Sequence, residues 1–312
     1  MSERPSQKTV VVPELLKPVR LDVFIASLGL FTRNQWERRQ GGVTCDNKAL
    51  KPSFKLRGGE TLELSWTDPP ETVLAPQELP LDILWEDSQL IVLNKARGLV
   101  VHPAAGHQEG TLVNGLLFHV KSLQDEFDET ARPGIVHRLD KETTGVLVCA
   151  KTPEALEFLA RQFREKTAKK VYWAVVKGQL TPTGSWKSGL IRDPRHRQRF
   201  TVAPEDQGKW AWTDWQVREV HGRWSWLALY PHTGRTHQLR VHCSQAGHPI
   251  LGDPVYTRPD AEFPDAPLML HARSLTLTLP EGEQRTFTAP IPQDFREVGE
   301  RAGFVWPDDE PY

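Results

Sequence analysis

One short segment of the chain concentrates side chains that could do chemistry. Residues 134–151 read Gly-Ile-Val-His-Arg-Leu-Asp-Lys-Glu-Thr-Thr-Gly-Val-Leu-Val-Cys-Ala-Lys, so His137, Arg138 and Asp140 precede an apolar run that follows Gly145. Apolar, β-branched runs of this length are typical of buried strands. The pattern therefore predicts a turn that presents the Asp140 carboxylate at the edge of a rigid sheet. On charge pattern alone, Arg138 and Asp140 could instead form a surface ion pair that contributes little to stability.

The elements around this segment predict an α+β fold. Residues 90–94, 146–150, 171–176 and 225–230 read as strands. Thr152 and Pro153 predict the start of one helix, and residues 233–246 read as another that Gly247 ends. Strands outnumber the helices that could connect them. A mixed, largely antiparallel sheet is therefore expected rather than a doubly wound parallel one.

The first part of the chain reads as a separate small module. Apolar residues recur at helical spacing over 21–28, and a second helix is expected from Thr32 to the glycines at 41 and 42. This second helix carries Arg33, Arg38 and Arg39. We therefore divide the chain into a tail (1–17), this module (18–67), a linker rich in proline and acidic residues (68–80), a large domain (81–305) and a second tail (306–312).

The distribution of charge is more informative than the net charge, which is −1. Residues 161–199 contain eleven lysines and arginines, including Lys169 and Lys170, against Glu165 and Asp193. Such a segment could hold phosphate groups, although runs of charge are more often solvated surfaces. The chain has no apolar run long enough to span a bilayer and begins without an apolar secretory segment. A cytoplasmic location without a membrane is therefore expected.

Neither the cysteines nor the histidines form a metal-ligand pattern. The cysteines are Cys45, Cys149 and Cys243. They are far apart and include no Cys-x-x-Cys pair, which argues against a disulfide framework and against a zinc site. His232, His237 and His242 follow one another at five-residue intervals, which does not align them on one helix face as a four-residue step would. No metal site is expected.

Four of the eleven tryptophans occur in two alternating pairs. They are Trp210, Trp212, Trp224 and Trp226. Their rings could stack on nucleic-acid bases. The alternation is more typical of side chains in the core or on a sheet face.

The N-terminal module resembles the α-L RNA-binding module of certain ribosomal proteins and RNA-modifying enzymes. The resemblance rests on Arg20-Leu-Asp, Thr32-Arg33, Gly42-Val-Thr, Asn47-Lys48 and Gly58-Gly-Glu. A short helix with exposed arginines beside a small sheet can contact RNA phosphates. The resemblance therefore implies that Arg33, Arg38 and Arg39 bind RNA. The alternative is an arbitrary small α+β domain with arginines on its surface.

The rest of the chain resembles the RluA-type RNA pseudouridine synthases. The signature is His137-Arg-Leu-Asp140 followed by Thr-Thr-Gly and an apolar strand. Further motifs follow the family order: 91–95, 98–103, 110–114, Lys170-Val-Tyr172, Gly234-Arg-Thr-His-Gln-Leu-Arg-Val-His242, 247–253, His271-Ala272 and Phe287-Thr-Ala-Pro290. Ala96 stands where the family usually has proline, which affects a loop. Thr144 replaces the commoner serine and keeps a hydroxyl.

The resemblance implies a role for each candidate residue. Asp140 would be the nucleophile or ion-pair partner of the reacting sugar or base, and Arg240 would be the cation whose planar fork can hold that carboxylate with two bonds. Tyr172 would stack on the target base. Because a uridine inside folded RNA is inaccessible, it must be turned out, and Arg138 would fill the vacated space. The residues expected to bind substrate or order the site are His137, Arg235, His237, Gln238 and Leu239.

The implied activity is the isomerisation of uridine to pseudouridine in structured RNA. The reaction has no redox, hydrolytic or group-transfer step, so no cofactor is expected. The domain layout is most similar to synthases of large-subunit ribosomal RNA, although transfer RNA enzymes share the catalytic motifs, and a monomer is expected. One alternative is a catalytically silent RNA-binding protein, which would need neither Asp140 nor Arg240. Another is a hydrolase such as a glycosidase, which would need a second carboxylate, whereas Asp253 lies in an ordinary Gly-Asp-Pro turn.

Overall fold

The computed structural model describes residues 4–29, 36, 41–68, 74–103, 107, 109–127, 133–196, 198–204 and 207–307. The chain divides into two compact units, Met1–Val73 and Leu74–Tyr312. This boundary falls inside the linker expected at 68–80. The last part of that linker belongs to the second unit, because Leu74 packs against its core and Asn114 Nδ2 donates to the carbonyl of Ala75 at 2.8 Å.

The first unit is a small β-rich module with one described helix. Its elements are β1 (Arg4–Val11), β2 (Val19–Arg20), α1 (Leu21–Ser27), β3 (Gly42–Cys45), β4 (Lys48–Ala49), β5 (Lys55–Leu56) and β6 (Thr61–Asp68). They form one sheet of order β1-β6-β3-β4 and a separate β2-β5 pair. Leu62 and Leu64 are buried and alternate with exposed residues along β6. One face of the sheet therefore shares a core with Leu21, Phe24 and Ile25 of α1.

Strand β1 corrects the expectation of an N-terminal tail at 1–17. All eight residues of β1 pair antiparallel with β6. The strand ends in a run of β-branched residues, 9–12, and Val12 is buried, so the segment has both strand-forming residues and a place in the core. The expected C-terminal tail at 306–312 also begins too early. Trp306 is buried and its ring lies 6.1 Å from that of Trp173, nearly parallel to it.

The second unit is built on one large sheet. Its strands are β7 (Ile83–Glu86), β8 (Leu90–Lys95), β9 (Thr144–Ala150), β10 (Lys169–Lys177), β11 (Thr183–Arg192), β12 (Phe200–Val202), β13 (Lys209–His221), β14 (Trp224–Pro231), β15 (Leu270–Thr278) and β16 (Gln284–Thr288). The order is β12-β11-β13-β14-β10-β15-β9-β8-β7, with β16 also on β15. Within the described ranges, β9 and β15 pair in parallel and the other strand pairs of this sheet are antiparallel. The predicted α+β class with a mixed, largely antiparallel sheet is confirmed.

Five helices are described in the second unit. They are α2 (Leu112–His119), α3 (Leu123–Glu126), α4 (Pro153–Glu165), α5 (Gln238–Gln245) and α6 (Gln293–Arg301). Helix α4 begins as predicted, with the Thr152 hydroxyl accepting a hydrogen bond from the Ala155 amide at 3.2 Å. The helix expected over 233–246 begins only at Gln238, because His237 has a left-handed backbone with φ of 57°. In the part of the chain that the structure describes, we find no helix with the length and apolarity needed to cross a membrane.

Two apolar cores pack against the sheet of the second unit. One combines residues of β8, β9, α2 and α4 and includes Leu139. The other combines residues of β10, β14, α5 and α6 and includes Leu239. Asp140 and Arg240 directly follow these two leucines in the sequence. Each is therefore anchored by a different core.

Candidate active site

A cavity of about 320 Å³ opens between the loop before β9 and the segment 231–240. Asp140 lines it from the loop, with 21% of its side chain exposed. Of the described residues in the lining, Asp140 alone carries a carboxylate. The lysines and arginines of the lining are Arg138, Lys170, Arg235 and Arg240. One carboxylate among several cations makes the cavity suitable for a negatively charged substrate.

A buried lysine fixes the loop that carries Asp140. Lys95 is 1% exposed at the end of β8, and its Nζ donates to the carbonyl oxygens of Ala96, Leu99 and Lys141 at 2.8–2.9 Å. Burial lowers the pKa of Lys95 to about 7. The bond to the Lys141 carbonyl holds the backbone immediately after Asp140. The sequence places Lys95 within a family motif but does not reveal this contact.

Arg240 joins two carboxylates that are far apart in the sequence. Its side chain is 4% exposed, and Nη1 donates to Asp140 Oδ2 at 3.2 Å. Its Nε and Nη2 donate to the two oxygens of Asp253, both at 2.8 Å. The two-bond pairing that the sequence suggests between Arg240 and Asp140 is therefore made with Asp253, which faces the Nε edge of the guanidinium. Burial works against the charge of Arg240, but the two carboxylates outweigh it and raise its pKa.

Asp253 is a site residue that the sequence reading missed. Its side chain is fully buried, and Oδ1 also accepts from the backbone amides of Val255 and Tyr256 at 2.9 and 3.0 Å. These two bonds form the turn that the Gly-Asp-Pro sequence indicates, and such turns are common. Asp253 differs from an ordinary turn residue in being buried against α5. In the neighbouring sequence, only the preceding apolar pair, Ile250 and Leu251, indicates this burial.

A hydrogen-bonded chain leads from β12 towards Asp140. The Phe200 amide donates to the Tyr256 hydroxyl at 2.8 Å, and that hydroxyl lies 2.9 Å from His237 Nδ1. The other ring nitrogen of His237, Nε2, lies on the side of Asp140. That nitrogen lies 3.8 Å from Asp140 Oδ2. Burial lowers the pKa of His237 and the charge of Asp140 offsets only part of the effect, so His237 is a neutral neighbour of the carboxylate.

Tyr172 lines the cavity from the middle of the sheet. A β-bulge between Val171 and Tyr172 interrupts the pairing of β10 with β15, and bulges re-aim side chains. No residue in the described ranges forms a hydrogen bond with its hydroxyl. Burial, reinforced by the negative charge of Asp140, raises the pKa of the phenol. The ring therefore offers the cavity an apolar face and a hydroxyl that keeps its proton.

His137 and Lys170 differ in what they offer the cavity. The Val148 amide donates to His137 Nε2 at 3.0 Å, and the ring stacks on Phe163 with centroids 4.5 Å apart. Burial and the nearby charge of Lys170 lower the pKa of His137 to about 3, so its ring stays neutral and orders the loop. Burial lowers the pKa of Lys170 to about 8, which leaves it mostly charged at pH 7. Lys170 is therefore the cation of this pair.

Gln238 is buried and uses its whole amide within the protein. Its Oε1 accepts from the Thr233 hydroxyl and the Arg235 amide at 2.7 and 3.0 Å. Its Nε2 donates to the Trp212 carbonyl and the Thr213 hydroxyl at 3.0 and 2.9 Å. Four hydrogen bonds account for the amide, so Gln238 orders the cavity rim instead of presenting a free polar group to a substrate.

The other candidate residues are placed as follows. Leu239 is buried in the cavity lining, whereas Arg138 and Arg235 are exposed within it. Arg235 Nε donates to the carbonyl of Trp210 at 2.9 Å. Lys169 is exposed on β10. The residues that lie outside the described ranges are Arg33, Arg38 and Arg39.

Metal-binding groups do not gather in the described ranges, where no set of three or more His, Cys, Asp or Glu side chains is arranged to hold an ion. The histidines at five-residue intervals contact protein groups instead. His232 Nε2 lies 2.7 Å from Asp214 Oδ2, and His242 Nδ1 lies 2.9 Å from the Thr213 hydroxyl. These rings therefore serve to order the protein.

Known proteins with similar sequences and structures share this site region. Residues 89–245, which include Asp140, Tyr172 and Arg240, match the family model described as RNA pseudouridylate synthase. The chain is 41% identical to the ribosomal large subunit pseudouridine synthase D of Borreliella burgdorferi, over 89% of this chain and 87% of that protein. The protein of the same name from Neisseria meningitidis is also 41% identical, over 94% and 81%. The solved structure of human RNA pseudouridylate synthase domain containing 4 matches with a TM-score of 0.59 at 29% identity, over 73% of this chain and 95% of that one. The two bacterial relatives cover most of the chain at 41% identity, and the chain belongs to the RNA pseudouridylate synthase family.

Proposed function

We propose that this protein converts uridine to pseudouridine in large-subunit ribosomal RNA and that Asp140 is its catalytic carboxylate. The observation that carries the proposal is the carboxylate of Asp140, the only one among the described residues that line the cavity, held by Arg240 beside the Tyr172 ring. The substrate class is supported by the names of the relatives from Borreliella burgdorferi and Neisseria meningitidis, which specify the ribosomal large subunit.

The geometry supports a mechanism in which Asp140 acts through its free oxygen. Within the described residues, Oδ2 accepts the bond from Arg240, while no hydrogen bond reaches Oδ1. Oδ1 is thus available to the reacting uridine while the bond from C1′ to N1 breaks. The base then turns, C1′ bonds to C5, and the proton of C5 is lost while N1 gains one. This isomerisation balances without an oxidant, a reductant or a leaving group, so the proposal includes no cofactor.

The cavity lining supplies the other functions that the reaction needs. Tyr172 would stack on the extruded base, since its face is apolar and its hydroxyl keeps a proton. Arg138 is exposed at the cavity and would occupy the space that the base leaves in the RNA. Lys170 and Arg235 would bind phosphates of the RNA strand that carries the extruded base. Arg240 would hold the Asp140 carboxylate in place through its hydrogen bond to Oδ2.

Further parts of the proposal concern the whole chain. The N-terminal unit would act as an α-L module that binds RNA through Arg33, Arg38 and Arg39, as its sequence motifs suggest. Lys169 would add to the RNA contacts from β10. The proposal also takes the protein to act as a monomer. Ribosomal RNA as substrate favours the cytoplasm.

A glycosidase-type hydrolase would need a second carboxylate facing the substrate. Asp253, which shares Arg240 with Asp140, is fully buried and accepts four hydrogen bonds from Arg240, Val255 and Tyr256. A carboxylate that is occupied in this way is not available to protonate a leaving group or to activate water. The geometry therefore favours isomerisation.

The test follows the release of tritium from large-subunit ribosomal RNA transcribed with uridine that carries tritium at C5. The wild-type protein should release the label, and Asp140→Asn should abolish the release while RNA affinity stays within about tenfold, because phosphate contacts dominate binding. Asp193→Asn is the matched control, since Asp193 lies outside the cavity and should retain full activity. Full turnover by Asp140→Asn would remove Asp140 from its role. Liberation of free uracil would indicate hydrolysis instead.

A further inference from the structure

An aromatic and basic surface lies on β11 and β13 beside the cavity. We define it by Lys187, Trp210, Trp212 and Arg235 and call it the Trp210 surface. The four tryptophans that alternate in the sequence separate here into two classes. Trp224 and Trp226 are buried, as expected of core residues, whereas Trp210 is 53% exposed and Trp212 is half-buried.

The strand register places Lys187, Trp210 and Trp212, the strand residues of this surface, on one face of the sheet. Lys187 lies opposite Trp212, and Gly189 lies opposite Trp210, in the antiparallel pairing of β11 with β13. Because side chains alternate along a strand, Trp210 and Trp212 share one face while Ala211, which is fully buried, points to the other. Gly189 has no side chain that could cover the neighbouring indole.

The two indoles differ in their surroundings. The Trp212 ring stacks on His232 with centroids 3.9 Å apart, and Lys187 Nζ lies 4.4 Å from its centroid. Its Nε1 donates to Ser185 Oγ and Asp214 Oδ1 at 2.9 and 2.8 Å, which fixes the ring. The Trp210 ring, in contrast, has no ring or cation partner among the described residues.

The Trp210 surface is continuous with the cavity. The Trp212 amide donates to the Thr233 hydroxyl at 2.9 Å, and Arg235 Nε donates to the Trp210 carbonyl at 2.9 Å. Thr233 and Arg235 both line the cavity. The backbone of the strand that carries Trp210 and Trp212 is therefore hydrogen-bonded to residues of the cavity lining.

We propose that the Trp210 surface binds the RNA strand that flanks the extruded uridine, with one base stacked on Trp210 and phosphates contacted by Lys187 and Arg235. This inference rests on the proposed function and names a second contact region for the same substrate. Proteins that bind single-stranded RNA combine aromatic rings, which stack on bases, with cations that follow the backbone. The Asp214 carboxylate is hydrogen-bonded to His232 and Trp212, and the charged members of the surface, Lys187 and Arg235, are both cations. This charge favours RNA over an apolar protein partner.

The test measures the dissociation constant of a labelled large-subunit ribosomal RNA transcript by filter binding, in the Asp140→Asn background so that no turnover intervenes. Trp210→Ala should weaken binding about tenfold, the usual size of one lost base stack. Trp210→Phe keeps a ring and should recover most of the affinity. A plot of log affinity against log salt concentration has a negative slope. Lys187→Gln should reduce the magnitude of that slope by about one, as expected for one lost phosphate contact.

The matched control is Phe118→Ala, because Phe118 is an aromatic residue on α2 that is 47% exposed and does not line the cavity. It should bind RNA as the parent does. Parent-like binding by Trp210→Ala would overturn the inference. So would a defect of Trp210→Ala, made in the otherwise wild-type protein, that is confined to the rate of tritium release at saturating RNA. A defect seen with whole ribosomal subunits but not with the naked transcript would assign the surface to a protein partner and also overturn it. Absence of tritium release by the wild-type protein would count against the proposed function, whereas the binding comparison judges the Trp210 surface by itself.

Discussion

Replacement of Asp253 by asparagine tests whether this buried carboxylate holds Arg240 in place. Asp253 Oδ1 accepts three hydrogen bonds, from Arg240 Nη2 and from the amides of Val255 and Tyr256, and Oδ2 accepts one from Arg240 Nε. The asparagine oxygen can replace Oδ1, but its NH₂ group must then face the Nε–H of Arg240. One charge-assisted bond is lost, and two donors oppose each other in a site where Arg240 is 4% exposed. Loss of a charge-assisted bond costs about 1.5–3 kcal/mol, and loss of one partner from a buried ion pair costs about 3–5 kcal/mol. Because Asp140 remains as a second partner, we expect a loss of about 3 kcal/mol.

The same change should lower turnover, since Arg240 would shift towards Asp140, its remaining carboxylate. A displacement of about 1 Å at a catalytic group can cost about a hundredfold in rate. Unfolding in urea, followed by fluorescence from the nine of eleven tryptophans that lie in the second unit, measures the stability loss, and tritium release measures turnover.

The matched control for Asp253→Asn is Asp193→Asn. Asp193 Oδ1 accepts from the amides of Arg195 and His196 at 2.8 and 3.1 Å, the same turn geometry without a buried arginine. Asparagine forms such turns as well, so the control should lose less than about 0.5 kcal/mol. If both variants kept wild-type stability and turnover, the anchoring of Arg240 by Asp253 would be refuted.

Two further predictions concern Lys170 and Gly145. Burial lowers the pKa of Lys170 to about 8, so its positive charge is present at pH 7 and is lost as the pH rises through 8. RNA affinity measured by filter binding should therefore fall between pH 7 and 9, and Lys170→Met should lose that part of the pH dependence while Lys169→Met, at the exposed neighbour, keeps it. An identical pH profile for all three proteins would contradict this. Gly145 has a φ of 111° and an added Cβ would collide with the backbone of β15, so Gly145→Ala should lower the urea unfolding free energy by about 3 kcal/mol. At Gly234 an added Cβ meets nothing within 4 Å, so Gly234→Ala should leave the unfolding free energy within about 0.5 kcal/mol of wild type, and equal stability of the two variants would contradict the steric argument.

The sequence predicts those parts of the fold that are encoded by neighbouring residues. The run at 146–150 lies within β9, where every residue is buried, and Thr152 caps α4 as expected. Strand β1 was missed because its residues 4–9 include proline, lysine and glutamine, and only the pairing with β6 makes them a strand. The start of α5 was placed too early. The side chain of Gln238 accepts hydrogen bonds from the Thr233 hydroxyl and the Arg235 amide in place of regular helical bonding, and the periodicity of the sequence does not reveal these contacts.

For the site as well, the sequence identifies individual residues but not the contacts between them. Asp140, Tyr172 and Arg240 carry family motifs, so the sequence singles them out one by one. Their arrangement in space is not readable from the chain, because Asp140 and Arg240 are a hundred residues apart and come from elements in different cores. Asp253 was interpreted as an ordinary turn residue for the same reason. A Gly-Asp-Pro turn looks alike in sequence whether it is exposed or buried against a guanidinium.

The sharing of one guanidinium between two carboxylates accounts for how Asp140 can be both held and reactive. If Arg240 used its two-bond edge on Asp140, both oxygens of that carboxylate would already accept a hydrogen bond from the guanidinium. Asp253 takes that edge instead, and its full burial and four hydrogen bonds keep the guanidinium charged and fixed. Arg240 then donates a single hydrogen bond, from Nη1, to Asp140 Oδ2. The position of the cation is set by the buried carboxylate, and Oδ1 of the exposed one stays open to the cavity.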